Sequence, residues 1–298
     1  MTNLSNNLSN VQSGKLAIII LTYNEEVNIA QALNSVVGWA NEIFILDSLS
    51  TDKTLDIARQ YSCHIEQNKF ENYAKQRNFA LDHLPIKSEW IFFLDADEWL
   101  SEDLKGEISE LIAKSPNQNG FFIKRRLMWM KRWIRRGYYP SWQLRLFRFG
   151  KGRCEDRAVN EHFMVEGEIG HLQNDFTDEN RKGVSDWIAK HVDYATREAQ
   201  ELFNKRLVKE YQEIDVSFFG TQAQRRRWLR YRVWNNLPPL IRPFFYFIYR
   251  YILLGGFLDG REAFIFHFLQ ALWYPLLIDI KYLELKKNVI ENVPDKNK

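Results

Sequence analysis

The stretch Trp90-Ile-Phe-Phe-Leu-Asp95-Ala-Asp97-Glu-Trp99 constrains this chain more than any other. An apolar run of strand character ends abruptly in two carboxylates one residue apart. Buried without partners, Asp95 and Asp97 would be costly, so they need cations or a tight hydrogen-bond network. In an open α/β sheet, ligands bind outside the carboxyl ends of the strands. The expectation is that Asp-Ala-Asp holds a divalent metal and the diphosphate of a nucleotide-sugar. Mg2+ or Mn2+ suits carboxylate and water ligands. A metal bridging the phosphates would stabilise the charge that develops as a nucleoside diphosphate leaves.

Upstream, strand and helix patterns alternate. Residues 16–21 form a continuous, β-branched apolar run, the mark of a strand buried on both faces of a parallel sheet. A loop, Thr22-Tyr-Asn-Glu-Glu, follows, and 27–37 have helical spacing. Residues 42–46 make a second strand ending at Asp47, with a helix over 52–61. A short third strand is expected at 63–66, a helix at 73–84, and the fourth strand at 90–94. This order implies a doubly wound α/β fold, a mostly parallel sheet flanked by helices, with its site at the strand carboxyl ends. Further on, a helix from Ser101 to about Lys114, a strand at 121–123, a basic-aromatic loop with hairpin character at 124–139, a strand at 142–149, a polar stretch at 157–170 and a helix at 186–211 are expected.

The formal net charge is only +3, but the basic residues cluster. Lys124, Arg125, Arg126, Lys131, Arg132, Arg135 and Arg136 surround Trp129 and Trp133, a patch suited to a phosphate-bearing acceptor lipid or an anionic membrane surface. A second group lies in Arg-Arg226-Arg-Trp228-Leu-Arg. There, 225–254 interleave Arg with Trp, Tyr and Phe, and 263–280 are apolar but interrupted by His267, Gln270 and Pro275. A transmembrane helix needs about 20 predominantly apolar residues. Neither stretch offers that cleanly, so a helix lying in the membrane interface is expected. Cys63 and Cys154 have no metal-ligand spacing, and no basic region precedes an apolar one at the N-terminus; both favour a reducing, cytoplasmic setting. The expected organisation is a disordered lead-in (1–14), a catalytic domain (15–215) and a C-terminal amphipathic helical membrane-association region (216–298).

Asp47 could cap the following turn, but a strand-end carboxylate also suits a nucleotide base or ribose. Arg77 and Asn78, on the helix before the Asp-X-Asp strand, are candidate donor contacts. A direct sugar transfer needs a carboxylate to take the acceptor proton. Glu161, in Asn160-Glu161-His162, is the first candidate, with Asp156 and Glu155 as rivals. His162 and His171 read as structural.

Ile-Ile-Leu-Thr-Tyr-Asn-Glu-Glu, Asp47-Ser-Leu-Ser-Thr-Asp-Lys-Thr and Leu-Asp95-Ala-Asp97-Glu together resemble family 2 inverting glycosyltransferases of the GT-A fold. Tyr73-Ala-Lys-Gln-Arg-Asn, Gln143-Leu-Arg-Leu-Phe-Arg and Gly255-Gly-Phe-Leu-Asp-Gly-Arg-Glu look like the lipopolysaccharide-core β-1,4-glucosyltransferase subgroup, so the likeness covers about 15–280. It implies a UDP-sugar donor, metal dependence and inversion. By that resemblance Thr22, Tyr23, Glu25 and Asp47 hold the uridine, Arg77 and Asp95 contact ribose or diphosphate, and Asp97 binds the metal. The subgroup usually has His-Glu where this chain has Asn160-Glu161.

The resulting expectation is an enzyme on the cytoplasmic face of the inner membrane. It would move a hexose, glucose first, from a UDP-sugar to a lipid-linked saccharide, lipopolysaccharide-core or exopolysaccharide acceptor. A metal-dependent nucleotidyltransferase is disfavoured because the acidic Thr-Tyr-Asn-Glu-Glu stands where a Gly-rich phosphate loop belongs. A nucleic-acid binder is disfavoured because the acidic strand ends would repel phosphates.

Overall fold

The computed structural model describes residues 15–155, 162–207, 219–220 and 222–291. The expected lead-in (1–14) and the expected boundary near 215 lie outside them. Strands run β1 (Leu16–Thr22), β2 (Glu42–Asp47), β3 (His64–Gln67), β4 (Trp90–Asp95), β5 (Glu98–Leu100), β6 (Gly120–Trp129), β7 (Arg132–Trp133), β8 (Ser141–Arg148), β9 (Gly152–Cys154), β10 (Phe163–Val165) and β11 (Ile169–Asp178). Helices are α1 (Ile29–Val36), α2 (Thr54–Ala58), α3 (Tyr73–His83), α4 (Glu102–Ala113), α5 (Val184–Leu207), α6 (Gln222–Arg232), α7 (Arg242–Phe247), α8 (Arg261–His267) and α9 (Tyr274–Glu291). The described residues fall into two compact units: one within Met1–Lys131 and Tyr139–Lys182, the other within Arg132–Tyr138 and Gly183–Lys298.

The first unit is built on a sheet of order β3-β2-β1-β4-β8-β6-β11-β5. Its β3-β2-β1-β4 half is parallel, as the continuous apolar runs require: every residue of β1 is buried. One face packs Ile18, Ile20, Ile45, Phe92 and Leu94 beneath α1 and α4, and the other packs Ile19, Phe44, Ile91 and Phe93 beneath α3. Ser101 caps α4 by accepting from the Leu104 N–H at 3.2 Å.

One expectation needs correction here. The segment 124–129 is strand, not loop: β6 runs on to Trp129. It does so because β11 lies parallel to it, setting Asp175 opposite Lys124 and Asp178 opposite Leu127. Lys124 and Arg126 pair with Asp175 at 3.4 Å each, and Arg125 pairs with Asp178 at 3.0 Å. The sheet is mostly parallel, as expected, with β8 antiparallel between β4 and β6 and β5 antiparallel to β11.

In the second unit, α5 and α9 pack through Ala195, Ala199, Ile278 and Tyr282. Residues 242–253 form one helix whose second half widens to a π-helix, and Arg261–Asn288 is a continuous helix of 28 residues. That helix is long and apolar enough, by length and composition, to cross a membrane. His267, Gln270 and Pro275 interrupt the apolar run but not the helix, whose π-helical segment Phe268–Trp273 ends just before Pro275. The motif Gly255-Gly-Phe-Leu-Asp-Gly has a steric reason. A Cβ on Gly256 would lie 2.5 Å from His267 Nε2, and one on Gly137, at φ +81°, 2.7 Å from the same atom.

Candidate active site

The loops after β1, β2 and β4 meet at the strand carboxyl ends. Asp47 is fully buried and accepts from the Thr22 hydroxyl (2.8 Å), the Ser50 N–H (2.9 Å) and Gln67 Nε2 (2.9 Å). Both oxygens are therefore engaged in holding two loops together. Tyr23 stands exposed beside them. The Glu25 N–H donates to Thr54 Oγ1 at 2.6 Å, and its carboxylate accepts from Asn28 (2.7 Å) and Lys182 (2.6 Å). Burial, then the Asp97 charge, pushes the Glu25 carboxyl above its usual range despite the Lys182 cation.

The two aspartates of Asp-Ala-Asp are held differently. Asp95 Oδ2 accepts from Arg145 Nη2 at 2.8 Å, and Oδ1 lies 3.5 Å from Arg77 Nη2. Arg145 also donates to Glu98 at 2.7 Å, and Glu98 accepts in turn from the Asp95 N–H at 2.8 Å. Arg145 and Glu98 are both buried. Burial, and next the neighbouring Asp95 and Asp178, set against the Arg145 cation, leaves Glu98 well above the ordinary carboxyl range. Asp97, by contrast, is only partly buried, and its Oδ2 accepts from Asn180 at 3.2 Å.

The segment after β11 straps these elements together. The Glu179 N–H donates to the Asp97 carbonyl (2.9 Å), the Arg181 N–H to Asn28 Oδ1 (3.1 Å), and Lys182 Nζ to the Tyr23 carbonyl (3.4 Å) as well as Glu25. Asp178, opposite Glu98 in the β11–β5 pair, is raised to about 6 by burial, which outweighs Arg125, with Asp97 and Asp95 adding to it. Arg145, Asp178, Asn180 and Lys182 carry no role in the sequence reading. Arg145 was inside a quoted motif, whereas β11 had no periodic signal to point to it.

On the far side, Arg77 lies 5.6 Å from the rings of both Tyr73 and Phe163. Asn78 is structural: its amide donates to the Cys154 carbonyl (3.0 Å) and accepts from the Cys154 N–H (2.9 Å). Asp156 and Glu161 lie outside the described residues. Their flanks are fixed by the β9–β10 ladder and by the Glu155 N–H to His162 carbonyl bond of 2.9 Å. His171 stacks on Phe122 and meets Trp142 edge-on, which fits its structural reading. Trp129 is buried, Trp133 and Trp228 are half-buried, and the Arg226 side chain lies outside what is described.

The residues present fit a divalent cation in one particular mode. Among the described residues no three carboxylates, histidines or cysteines converge as a cage. Mg2+ is commonly held by one or two carboxylates plus substrate phosphates and water. Asp97 supplies such a carboxylate, and its charge adds to the burial that raises Glu25 and Asp178 beside it.

Residues 17–164 match the glycosyl transferase family 2 model. The lipopolysaccharide core biosynthesis glycosyltransferase LpsC of Rhizobium meliloti is 32% identical over 198 residues, covering 62% of this chain and 71% of LpsC. This chain belongs to glycosyl transferase family 2. An uncharacterized glycosyltransferase of Rickettsia bellii is 38% identical over 114 residues, 38% of each chain; the match thus spans well under half of that relative. Among solved structures, a mannosyltransferase from Pyrobaculum calidifontis in complex with GDP-Man and Mn2+ superimposes with a TM-score of 0.50 at 15% identity, over 92% of this chain and 88% of that one. The likeness is one of fold, and the family 2 chain has the GT-A architecture: a mixed, largely parallel sheet flanked by helices.

The raised Asp178 carboxyl has a testable consequence for this family 2 site. A carboxyl raised in the folded state binds its proton more tightly folded than unfolded. Its contribution to stability is therefore full below the unfolded value and lost as pH rises through the folded one. For Asp178 that window runs from 3.8 to about 6. Asp178→Asn should flatten the fall in melting temperature across that window. A wild-type-like pH profile in the variant, followed by differential scanning fluorimetry, would remove Asp178 as its source.

Proposed function

We propose that this family 2 glycosyltransferase moves a hexose, with glucose the first candidate, from a UDP-sugar to a lipid-linked saccharide or lipopolysaccharide-core acceptor, at the cytoplasmic face of the inner membrane. The observation that carries the reading is the unequal pair at the end of β4: Asp95 bound by Arg145, and Asp97 only partly buried, with the Asn180 amide as its side-chain donor. A divalent cation, Mg2+ or Mn2+, would be held by Asp97 and would supply electrostatic stabilisation to the leaving diphosphate. Thr22, Tyr23 and Glu25 line the uridine side. Asp47 acts there by fixing the loops, because its oxygens are already engaged. Arg77, reaching Asp95, faces ribose or diphosphate. The similarity to LpsC supports a lipopolysaccharide-core acceptor.

Transfer is a single displacement. The acceptor hydroxyl oxygen bonds to the anomeric carbon, the bond from that carbon to the diphosphate oxygen breaks, and UDP departs on the opposite face. Glu161 takes the hydroxyl proton. The residues flanking its segment are joined by the Glu155 N–H to His162 carbonyl bond, and Phe163 lies 5.6 Å from Arg77. Glu161→Gln should lower turnover about 100-fold with donor binding retained. Normal turnover in that variant, with loss in Asp156→Asn, would move the base to Asp156. The donor is tested by UDP release from UDP-glucose, UDP-galactose and UDP-N-acetylhexosamines, with membrane extract as acceptor. Release from none of them would overturn the UDP assignment. Attachment to an anionic membrane surface, through the 216–298 region and the basic residues around Arg226 and Trp228, completes the reading. Arg125 and Arg126 contribute less to it, since both are paired within the sheet.

A further inference from the structure

The segment from Leu240 to Phe268 has its polarity turned outside in. Arg242, Arg250 and Asp259 point inward and are matched one by one, while Arg261 stays exposed at the start of α8. Arg242 and Asp279 form a buried pair in which Arg242 Nε lies 3.0 Å from both Asp279 oxygens, and Asp279 is fully buried. Asp279 also accepts from the Leu240 N–H at 2.9 Å, and Arg242 donates to the Trp234 carbonyl at 3.2 Å. Asp259, likewise buried, takes the Arg136 N–H at 2.6 Å and its guanidinium at 2.7 Å. Arg250 donates to the Gly137 carbonyl and lies over the rings of Tyr138 and Tyr246.

The apolar residues, meanwhile, face out. Phe244, Ile248 and Ile252 form one row at helical spacing; Phe245 and Leu253, 58% and 72% exposed, belong to the row beside it. Leu258, 58% exposed, extends the same character past the Gly255-Gly256 turn, and Phe264 and Phe268 continue it on the next helix. A face of this size on a water-soluble surface would be an interaction site. Inward, paired charges beneath an apolar exterior are what hydrocarbon surroundings demand, because an unpaired charge there is expensive. Exposed Arg225, Arg232 and Arg261 on the same unit match a bilayer interface, where apolar groups meet acyl chains and cations meet headgroups.

We infer that this ridge enters the hydrocarbon layer of a bilayer from one side, seating Phe245, Leu253 and Leu258 among the acyl chains. The insertion is monotopic: the helix that continues to residue 288 packs against α5 through Ile278 and Tyr282, which ties its later turns to the protein. This deepens the membrane attachment proposed above and rests on it. It also reverses the part the arginines were expected to play. Arg242 and Arg250 do not interrupt an apolar stretch; they are folded into its inner side. Exposed Arg225 and Arg232 on α6 remain for lipid headgroups.

The test is flotation of the full-length protein with neutral phosphatidylcholine vesicles and with vesicles containing phosphatidylglycerol, each at low and at molar salt. Insertion predicts binding to both, surviving molar salt. Phe245→Glu and Leu253→Glu should each weaken it about tenfold or more, with the melting temperature unchanged because both positions are exposed. Phe149→Glu, an exposed site in the other unit, should leave it intact. Binding only to anionic vesicles, lost at molar salt, would keep the attachment and overturn the insertion. No binding to either vesicle would overturn both. A ridge variant that changes oligomeric state in buffer, with wild type not floating, would assign the face to a second copy of the chain instead.

Discussion

Asp97→Asn should lower transfer about 1,000-fold, equivalent to roughly 4 kcal/mol of transition-state stabilisation, while leaving the fold intact. The fold is safe because Asp97 is only partly buried, and its side-chain hydrogen bond from Asn180 can be made equally well to an amide oxygen. Its backbone carbonyl, which accepts from Glu179, is untouched by the change. What the amide loses is charge. In the wild type burial raises both Glu25 and Asp178 and the Asp97 charge adds to it, so the variant should lower those two carboxyls while the burial contribution remains. Turnover is measured with saturating Mn2+ and with Mg2+, and folding by melting temperature and circular dichroism. Full activity in Asp97→Asn would refute the metal assignment. Lost activity with a collapsed melting curve would instead make Asp97 structural.

Arg145→Met is expected to act on stability and turnover together. Arg145 sits between Asp95 and Glu98 at 2.8 and 2.7 Å, and removing it leaves two carboxylates facing each other, one of them buried. Breaking a buried pair by deleting one partner costs about 3–5 kcal/mol. Glu98, already raised by burial and by its acidic neighbours, would answer by holding its proton. The diagnostic variant is therefore the double one. Glu98→Gln in the Arg145→Met background should return much of the lost stability, because it removes the charge that Arg145 was compensating. It should not return turnover, since Asp95 would still lack its guanidinium. A double variant no more stable than the single one, in urea titrations near neutral pH, would show that Arg145 acts by packing alone, for instance against Phe176.

The parallel half of the sheet was legible in the sequence because its strands are buried on both faces and spell themselves as apolar runs. Leu16–Thr22 and Trp90–Asp95 fall within one residue of where the runs place them. Strand β11 was not legible. Ile169-Gly-His-Leu-Gln-Asn-Asp-Phe-Thr-Asp is largely polar, and the irregularity in pairing between His171 and Asp175 breaks the alternation that marks a half-buried strand. With β11 hidden, its partners could not be read correctly: Lys124, Arg125 and Arg126 looked like a free basic surface, although Asp175 and Asp178 neutralise them. The site shows the same division. Asp95 and Asp97 announce themselves by following an apolar strand. Arg145, Asp178 and Lys182 reach the site through non-local pairing, which no local pattern encodes. The apolar C-terminal stretches were visible as composition, but the sense of their polarity depends on which way Arg242 and Arg250 turn.

The short pairing of β5 with β11 sets limits on how this scaffold can vary. Asp178 lies opposite Glu98, Thr177 opposite Trp99 and Phe176 opposite Leu100. Strand side chains alternate faces, so a one-residue slip in this ladder would carry Asp178 to the wrong side and drag the Glu179–Lys182 strap off the Asp97 turn. The irregularity between His171 and Asp175 lies upstream of that ladder and can absorb added length. Insertions between His171 and Asp175 should thus be tolerated by descendants and by engineers alike. A single residue added between Phe176 and Asp178 should move the strap off the Asp97 turn and lower transfer without altering Glu25, Asp95 or Asp97.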